Sequence, residues 1–284
     1  MARNEWRKTT ALITAALPIL SIQWPVTIRQ LFYRMIGVEG IVNDAASYKL
    51  ISRIMTKARR DGRCPREWIC DRTRPTYEPS VWSNPREYAD AVKCGYRRDY
   101  WQGQTCHIEI WCEKDTVTGS IQPITDELGI SVRVGRGFNS ETRVYEIAQI
   151  FKNTGKRNIV LFLGDHDASG RDIERDWRKR LVENGSGPFE LRRLAIHQED
   201  IAKFNLPPQR VKFSDSRAHQ FIKRYGNQCV ELDALPPTEL RRRIREAVEG
   251  LLDKTAWDRA VAVEQVEIQS IVETVSKWPT LDSA

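Results

Sequence analysis

The sequence has 284 residues, enough for two ordinary domains or one large one, and 40% of them are hydrophobic, which excludes wholesale disorder. Lys and Arg number 45 against 38 Asp and Glu, a formal charge of +7. The longest unbroken apolar runs, such as residues 159–163, are far too short to cross a bilayer, and no signal-like segment opens the chain. A soluble, cytoplasmic protein with no membrane association is therefore expected.

Apolar spacing predicts a first helix over residues 6–20, ending near Pro18 or shortly after it. Thr27 is a suitable N-cap for a second helix over 28–36, which Gly37 and Gly40 terminate. A third, over 45–60, sets Leu50, Ile51, Ile54, Met55 and Ala58 on one stripe, and Gly62 stops it. Its other face carries Lys49, Arg53, Lys57, Arg59 and Arg60. A short strand is expected over 68–72. Three short helices followed by an extended hairpin form a winged helix-turn-helix pattern, with the third helix entering a DNA groove and Lys49, Arg53, Lys57 and Arg60 as its contacts. A three-helix bundle with a basic solvated face fits the same residues. The charge distribution bears on the choice. Residues 1–100 carry eighteen Lys and Arg against ten Asp and Glu, whereas residues 101–284 carry twenty-seven against twenty-eight. The basic surplus lies wholly in the first third, as when one module meets a polyanion.

Residues 73–104, rich in Pro, Tyr, Trp and Arg, read as a packed connection with one short helix over 85–94. The texture then changes. Strands are expected over 108–112, 131–134 and 159–163, alternating with helices over 118–128, 140–154 and 167–183. That alternation is the signature of an α/β fold, an open parallel sheet with flanking helices. The tail over 236–275 is mostly helical, interrupted near Gly250. A division into residues 1–100 and 101–284 follows. Six cysteines show no C-x-x-C pair, so neither a structural zinc nor a disulfide framework is expected, and the thiols are read as free.

Ligands of open parallel sheets gather at the carboxyl ends of the strands. Here the first strand ends in Glu113, followed by Lys114 and Asp115, and the third in Gly164-Asp165-His166-Asp167-Ala168-Ser169-Gly170. Asp165 and Asp167 are two apart, so in extended backbone they project to one side, with His166 opposite as a structural residue. Hard oxygen donors at a sheet edge suit Mg²⁺, although Asp-x-Asp before a helix also serves as an N-cap. The second strand ends in Gly135-Arg136-Gly137, where backbone can pass close to a phosphate. Lys114 and Arg136 can touch DNA phosphate or balance the acids. The run Arg241-Arg242-Arg243, with Arg245, reads as a solvated helix face.

Glu113 followed by Asp165-His166-Asp167-Ala168-Ser169-Gly170 resembles the toprim signature, a glutamate after one strand and Asp-x-Asp-x-x-Gly after a later one. Glu113-Lys114-Asp115, Gly135-Arg136-Gly137, Leu163-Gly164-Asp165-His166-Asp167 and Val230-Glu231-Leu232-Asp233-Ala234-Leu235 narrow the likeness. They resemble the topoisomerase VI A subunit and the meiotic double-strand-break transesterase. The resemblance covers residues of about 20–240. It implies a toprim domain behind a CAP-like winged helix that bears a nucleophilic tyrosine in a Thr-x-Arg-x-x-Tyr-Tyr type of motif. Thr27-Ile28-Arg29-Gln30-Leu31-Phe32-Tyr33 places Tyr33 in that position, with Arg29 one helical turn behind.

The implied activity is Mg²⁺-dependent cleavage of double-stranded DNA that leaves a 5′-phosphotyrosyl link. Tyr33 is the nucleophile; Arg29 stabilises a developing phenolate or holds the scissile phosphate. Asp165 and Asp167 hold the metal, and Glu113 completes that site or moves a proton to the leaving 3′ oxygen. In the family the tyrosine of one protomer works with the metal site of the other, so a homodimer is implied, at the nucleoid. The chain departs from the pattern in Ala168, where proline is frequent, and in Phe32, which removes one of two tyrosines. It also has no Gly-x-x-x-x-Gly-Lys loop, so ATP-coupled strand passage requires a separate ATPase subunit of the B type. It resembles the small stand-alone A-like proteins. Two other functions remain open at this stage: a toprim nuclease using water, and a non-catalytic winged-helix DNA-binding protein.

Overall fold

The computed structural model describes residues 2–71, 79–135, 140–213, 215–275 and 277–278. Three helices open the chain: α1 (Ala2–Gln23), α2 (Ile28–Met35) and α3 (Ala45–Arg60). The first does not stop near Pro18. Proline deprives Thr14 of a helical donor, but both residues are exposed, so water serves the freed carbonyl. Leu12, Ile13, Ala16 and Leu20 meanwhile continue one buried stripe past it. The second helix starts at a capping box in which Thr27 Oγ1 accepts from Gln30 N (3.1 Å) and Gln30 Oε1 accepts from Thr27 N (2.8 Å). Asp44 caps the third, accepting from Ser47 N at 2.7 Å.

The hairpin expected after α3 is not found among the described residues. Residues 66–68 form a 3₁₀ turn and Ile69 makes one parallel bridge to Val26. Only four residues join α1 to α2, so Val26 offers no strand long enough for a ladder to grow. Arg72 lies outside the described residues. Helix α4 (Pro85–Gly95) follows, capped by Asn84.

The strands and helices of the sheet region run β1 (Cys106–Cys112), α5 (Thr118–Leu128), β2 (Ser131–Val134), α6 (Glu141–Asn153), β3 (Arg157–Leu163), α7 (Ala168–Glu183) and β4 (Phe189–Ala195). All four strands are parallel, in the order β2-β1-β3-β4. Strands β1 and β3 each begin two residues earlier than apolar content alone suggests. Strand β4 was not expected at all. Its sequence is broken by Glu190, Arg192 and Arg193, which an edge strand with one neighbour can carry. Beyond it come α8 (Glu199–Lys203), an antiparallel pair of β5 (Gln209–Arg210) and β6 (Gln228–Cys229) around α9 (Ala218–Tyr225), and the two tail helices α10 (Pro237–Glu249) and α11 (Lys254–Val275).

The pleat sends alternate residues to opposite faces. Ile108, Ile110 and Cys112 of β1 and Ile159, Leu161 and Leu163 of β3 face α5 and α10, and the same apolar cluster takes in Leu31, Met35, Ile51 and Met55 of α2 and α3. The helical N-terminus is thus packed onto the sheet region. Gln30 Nε2 donates to Ser120 Oγ of α5 at 2.9 Å and fixes that docking. On the opposite face Trp111, Val160 and Phe162 pack under α6 and α7, with Trp111 and Trp177 edge to face at 4.4 Å. No helix among the described residues is long and apolar enough to cross a membrane, and Cys64, Cys94, Cys106, Cys112 and Cys229 are free thiols.

Candidate active site

The carboxyl ends of β1 and β3 lie side by side, with Glu113 N donating to Leu163 O at 2.9 Å. Glu113 and Asp165, 52 positions apart, meet there: Glu113 Oε2 accepts from Asp165 N at 3.0 Å, and both side chains are buried. Gly170 makes the approach possible. A Cβ on it would stand 2.6 Å from Asp165 O and 2.8 Å from Glu113 Oε2, closer than real atoms come. Asp167 is the N-cap of α7, its Oδ1 accepting from Gly170 N at 2.7 Å, so the cap role is real. Its side chain also lines the same cleft as Asp165.

An antiparallel bridge between His166 and Val230 carries a second acidic segment across the site. Asp165 Oδ1 accepts from Leu232 N at 2.8 Å, and Lys114 Nζ stands 2.5 Å from Asp165 Oδ2 and 3.3 Å from Glu231 Oε2. Arg29 then closes on Glu231 with both edges of its guanidinium, Nε to Oε2 at 2.7 Å and Nη2 to Oε1 at 2.5 Å. Asp233 accepts from Thr116 through Oδ2, while its buried Oδ1 has no partner. Glu231 and Asp233 lie in the late stretch 230–235 that carries part of the family likeness, but they were not expected at the site. Their Glu-x-Asp spacing was the available signal, but it sits on a turn rather than at a strand end.

Five carboxylates thus share the site with two cations, Lys114 and Arg29. Burial, then the charge of Asp165, raises Glu113 to about 7. Burial likewise raises Asp165, against the pull of Lys114, and lifts Asp233 to about 6. Burial acts on Glu231 in the same sense, but Arg29 and Lys114 together hold it below its ordinary value. Among the described residues no three acidic, His or Cys side chains stand ready as a metal cage, because the Lys114 ammonium bridges Asp165 and Glu231. The donors are all hard oxygens in surplus, one of them orphaned. That set fits Mg²⁺, which needs only one or two carboxylates and keeps waters.

Tyr33 projects toward this cluster within its own chain. Its residue is 5% exposed, its ring lies 5.8 Å from the Arg29 guanidinium, and burial, followed by the charge of Glu231, raises the phenol to about 12. His166 points away as expected, packed against Phe221 and Tyr225, and burial depresses it to about 4.

Lys49, Arg53, Lys57 and Arg60 are all exposed on α3, and among the described residues only Lys57 pairs with an acid, Asp61, at 3.1 Å. Arg136 and Gly137 lie outside the described residues. The run from Arg241 to Arg245 is solvated only in part: Arg242 is exposed and pairs with Glu239 and Glu246 of its own helix, while its neighbours reach other elements. Arg241 donates to Ser120 O and Gln23 O, Arg243 pairs with Asp200 and Glu239, and Arg245 with Glu127. Guanidinium groups at helical spacing meet acids and carbonyls from neighbouring elements and clamp α10 in place.

The cleft above the acids measures about 670 Å³. Lys114, Asp165, Asp167 and Glu231 line it together with Arg210, Lys212, Asp215 and Arg217, the last two paired at 2.9 Å. No protein-family model matches the sequence, and no curated protein matches it.

Proposed function

We propose that this protein cleaves duplex DNA by tyrosine transesterification with the help of Mg²⁺, as a small protein of the topoisomerase VI A type. In this reading residues 1–100 act as a winged-helix DNA-binding module, and residues 101–284 as a toprim module with a helical extension. The supporting observation is the meeting of Glu113, Asp165 and Asp167 at one sheet edge, with Tyr33 tied to them through Arg29 and Glu231.

Asp165 and Asp167, with Glu113 beside them, are the residues that would hold the ion. When bound, Mg²⁺ neutralises charge on the scissile phosphate and on the leaving 3′ oxygen. The phenol keeps its proton at neutral pH, so that proton must leave as the Tyr33 Oη–P bond forms. Glu231 faces the phenol and accepts it, while the Arg29 charge stabilises the developing phenolate. Glu113 is partly protonated near neutrality and donates to the 3′ oxygen as the P–O3′ bond breaks. One phosphodiester replaces another, so the step is nearly isoenergetic and reversible.

The exposed cations of α3 hold the duplex, two centres in a homodimer cut its two strands, and ATP-coupled strand passage requires a separate ATPase subunit. A DNA substrate places the protein at the nucleoid. A second reading, a nuclease using water at the same acids, is favoured by one observation, the burial of Tyr33. Plasmid nicking in Mg²⁺ separates the two. Tyr33→Phe abolishes cleavage if the phenol attacks and leaves it intact if water does. Cleavage unaffected by Asp165→Ala with Asp167→Ala rules out both.

A further inference from the structure

A second cleft, about 440 Å³, opens between α7 and α9 on the far side of Arg217, which lines this cleft and the acidic one alike. Arg171, Arg175 and Arg178 recur at i, i+4 and i+7 on α7, so they share a face. Arg217, at the start of α9, and Arg224, near its end, look across at them. Five guanidinium groups meet two carboxylates, Asp172 and Glu174. Even those are oversubscribed. Glu174 stands 2.8 Å from the buried Arg193, 3.3 Å from Arg178 and 3.9 Å from Arg171. Arg171 keeps a buried Nε with no acceptor, and both Arg171 and Arg224 stack on Tyr225, at 4.6 and 5.3 Å. Among the described residues Arg224 has no carboxylate within ion-pair distance. Arg171 gives one edge to His166 Nδ1 at 3.2 Å and Arg175 pairs with Asp172 at 2.7 Å, whereas stacking holds the Arg224 guanidinium in orientation with its charge uncompensated, the arrangement that grips phosphate.

We propose that this groove binds the nucleic-acid backbone next to the acidic cleft, through Arg171, Arg175 and Arg224, and so continues the substrate track beyond the reacting phosphate. The inference rests on reading the acidic cleft as a DNA-cleaving centre. It adds a positioning site that the motif residues do not include.

The test uses the full chain carrying Tyr33→Phe, in EDTA, with a labelled duplex followed by anisotropy across a salt series. Each lost phosphate contact lowers the slope of log affinity against log salt by about 0.9. Arg175→Ala with Arg224→Ala is therefore expected to lower it by about 2, while Arg224→Lys, which keeps the charge, retains most of it. Arg242→Ala, paired with Glu239 and Glu246 on α10, serves as the control and leaves the slope unchanged. An unchanged slope in the double variant overturns the proposal. So does displacement of the duplex by inorganic phosphate alone at equal affinity, which would make the groove a small-anion site. Adduct formation by the Tyr33 protein is measured in parallel. A lost slope without any adduct keeps the groove and rejects the cleavage chemistry, and the converse rejects the groove alone.

Discussion

Arg29 and Glu231 stand 202 positions apart in the chain and are joined by two hydrogen bonds of 2.7 and 2.5 Å. The pair fastens the helix that carries Tyr33 to the segment that closes over Asp165. It is partly exposed, so its worth is that of charge-assisted hydrogen bonds discounted for solvent, about 1–2 kcal/mol. Arg29→Ala should lower unfolding stability by that amount in urea titrations. Arg29→Lys should recover only part, because an ammonium cannot reproduce the planar fork. Full stability in Arg29→Ala would mean that this pair adds nothing to the apolar packing and the Gln30–Ser120 hydrogen bond that also hold the two halves together.

Gly170 has no room for a side chain. Gly170→Ala should push Glu113 away from Asp165 or cost about 1–3 kcal/mol, as overpacked sites do. Gly103→Ala, with open space around it, should stay within about 0.5 kcal/mol. Thermal melts of both, with cleavage assayed beside them, decide whether the contact matters to chemistry.

Asp167 has two roles that substitution can separate. Asp167→Ala should lose the cap of α7, about 1 kcal/mol, as well as the carboxylate. Asp167→Ser keeps a capping oxygen and so should keep stability in EDTA. Stabilisation by added Mg²⁺, seen as a higher melting temperature in the parent chain, should be lost in both. A serine variant that still responds fully to Mg²⁺ would remove Asp167 from the ion's ligands.

Glu113 gives a pH dependence of definite sign. Its carboxyl is raised above the ordinary glutamate value by burial and Asp165, so between about 4.5 and 7 the folded state holds a proton that the unfolded state has released. Its contribution therefore improves as pH falls through 7 and is complete below about 4.5. His166, depressed to about 4 by burial, acts oppositely below 6.5, so the total curve mixes both signs. The difference between the parent and Glu113→Gln isolates the glutamate. In EDTA that difference should favour the parent increasingly as pH falls from 7, on the order of 3 kcal/mol in all. A flat difference would mean that the carboxyl titrates normally.

Much of the architecture was legible because its signals are local. The cap at Thr27 and the apolar stripe of α3 fixed those helices, and continuous apolar runs fixed β1 and β3. Strand β4 was hidden because its arginines find acids and carbonyls only after folding: Arg193 reaches Glu174 and Gly164 O. Helix α1 was cut short on paper because the exposure of Pro18 depends on tertiary packing. The site divided in the same way. Glu113, Asp165 and Asp167 follow from strand ends, whereas Glu231 and Asp233 arrive through a bridge at His166 that no local pattern announces. Arg241 and Arg243 of the basic run on α10 looked solvated for the same reason, since Ser120, Gln23 and Asp200 come from other elements, whereas Arg242 is solvated as expected.

The most direct measurement uses a duplex labelled at the 5′ end created by cleavage, incubated with the full chain and Mg²⁺, stopped in denaturant and digested for peptide mapping. The account predicts a label that stays covalently attached to the peptide containing Tyr33 and disappears in Tyr33→Phe. Cleaved DNA with a free 5′ phosphate, or a label on any other residue, would contradict it.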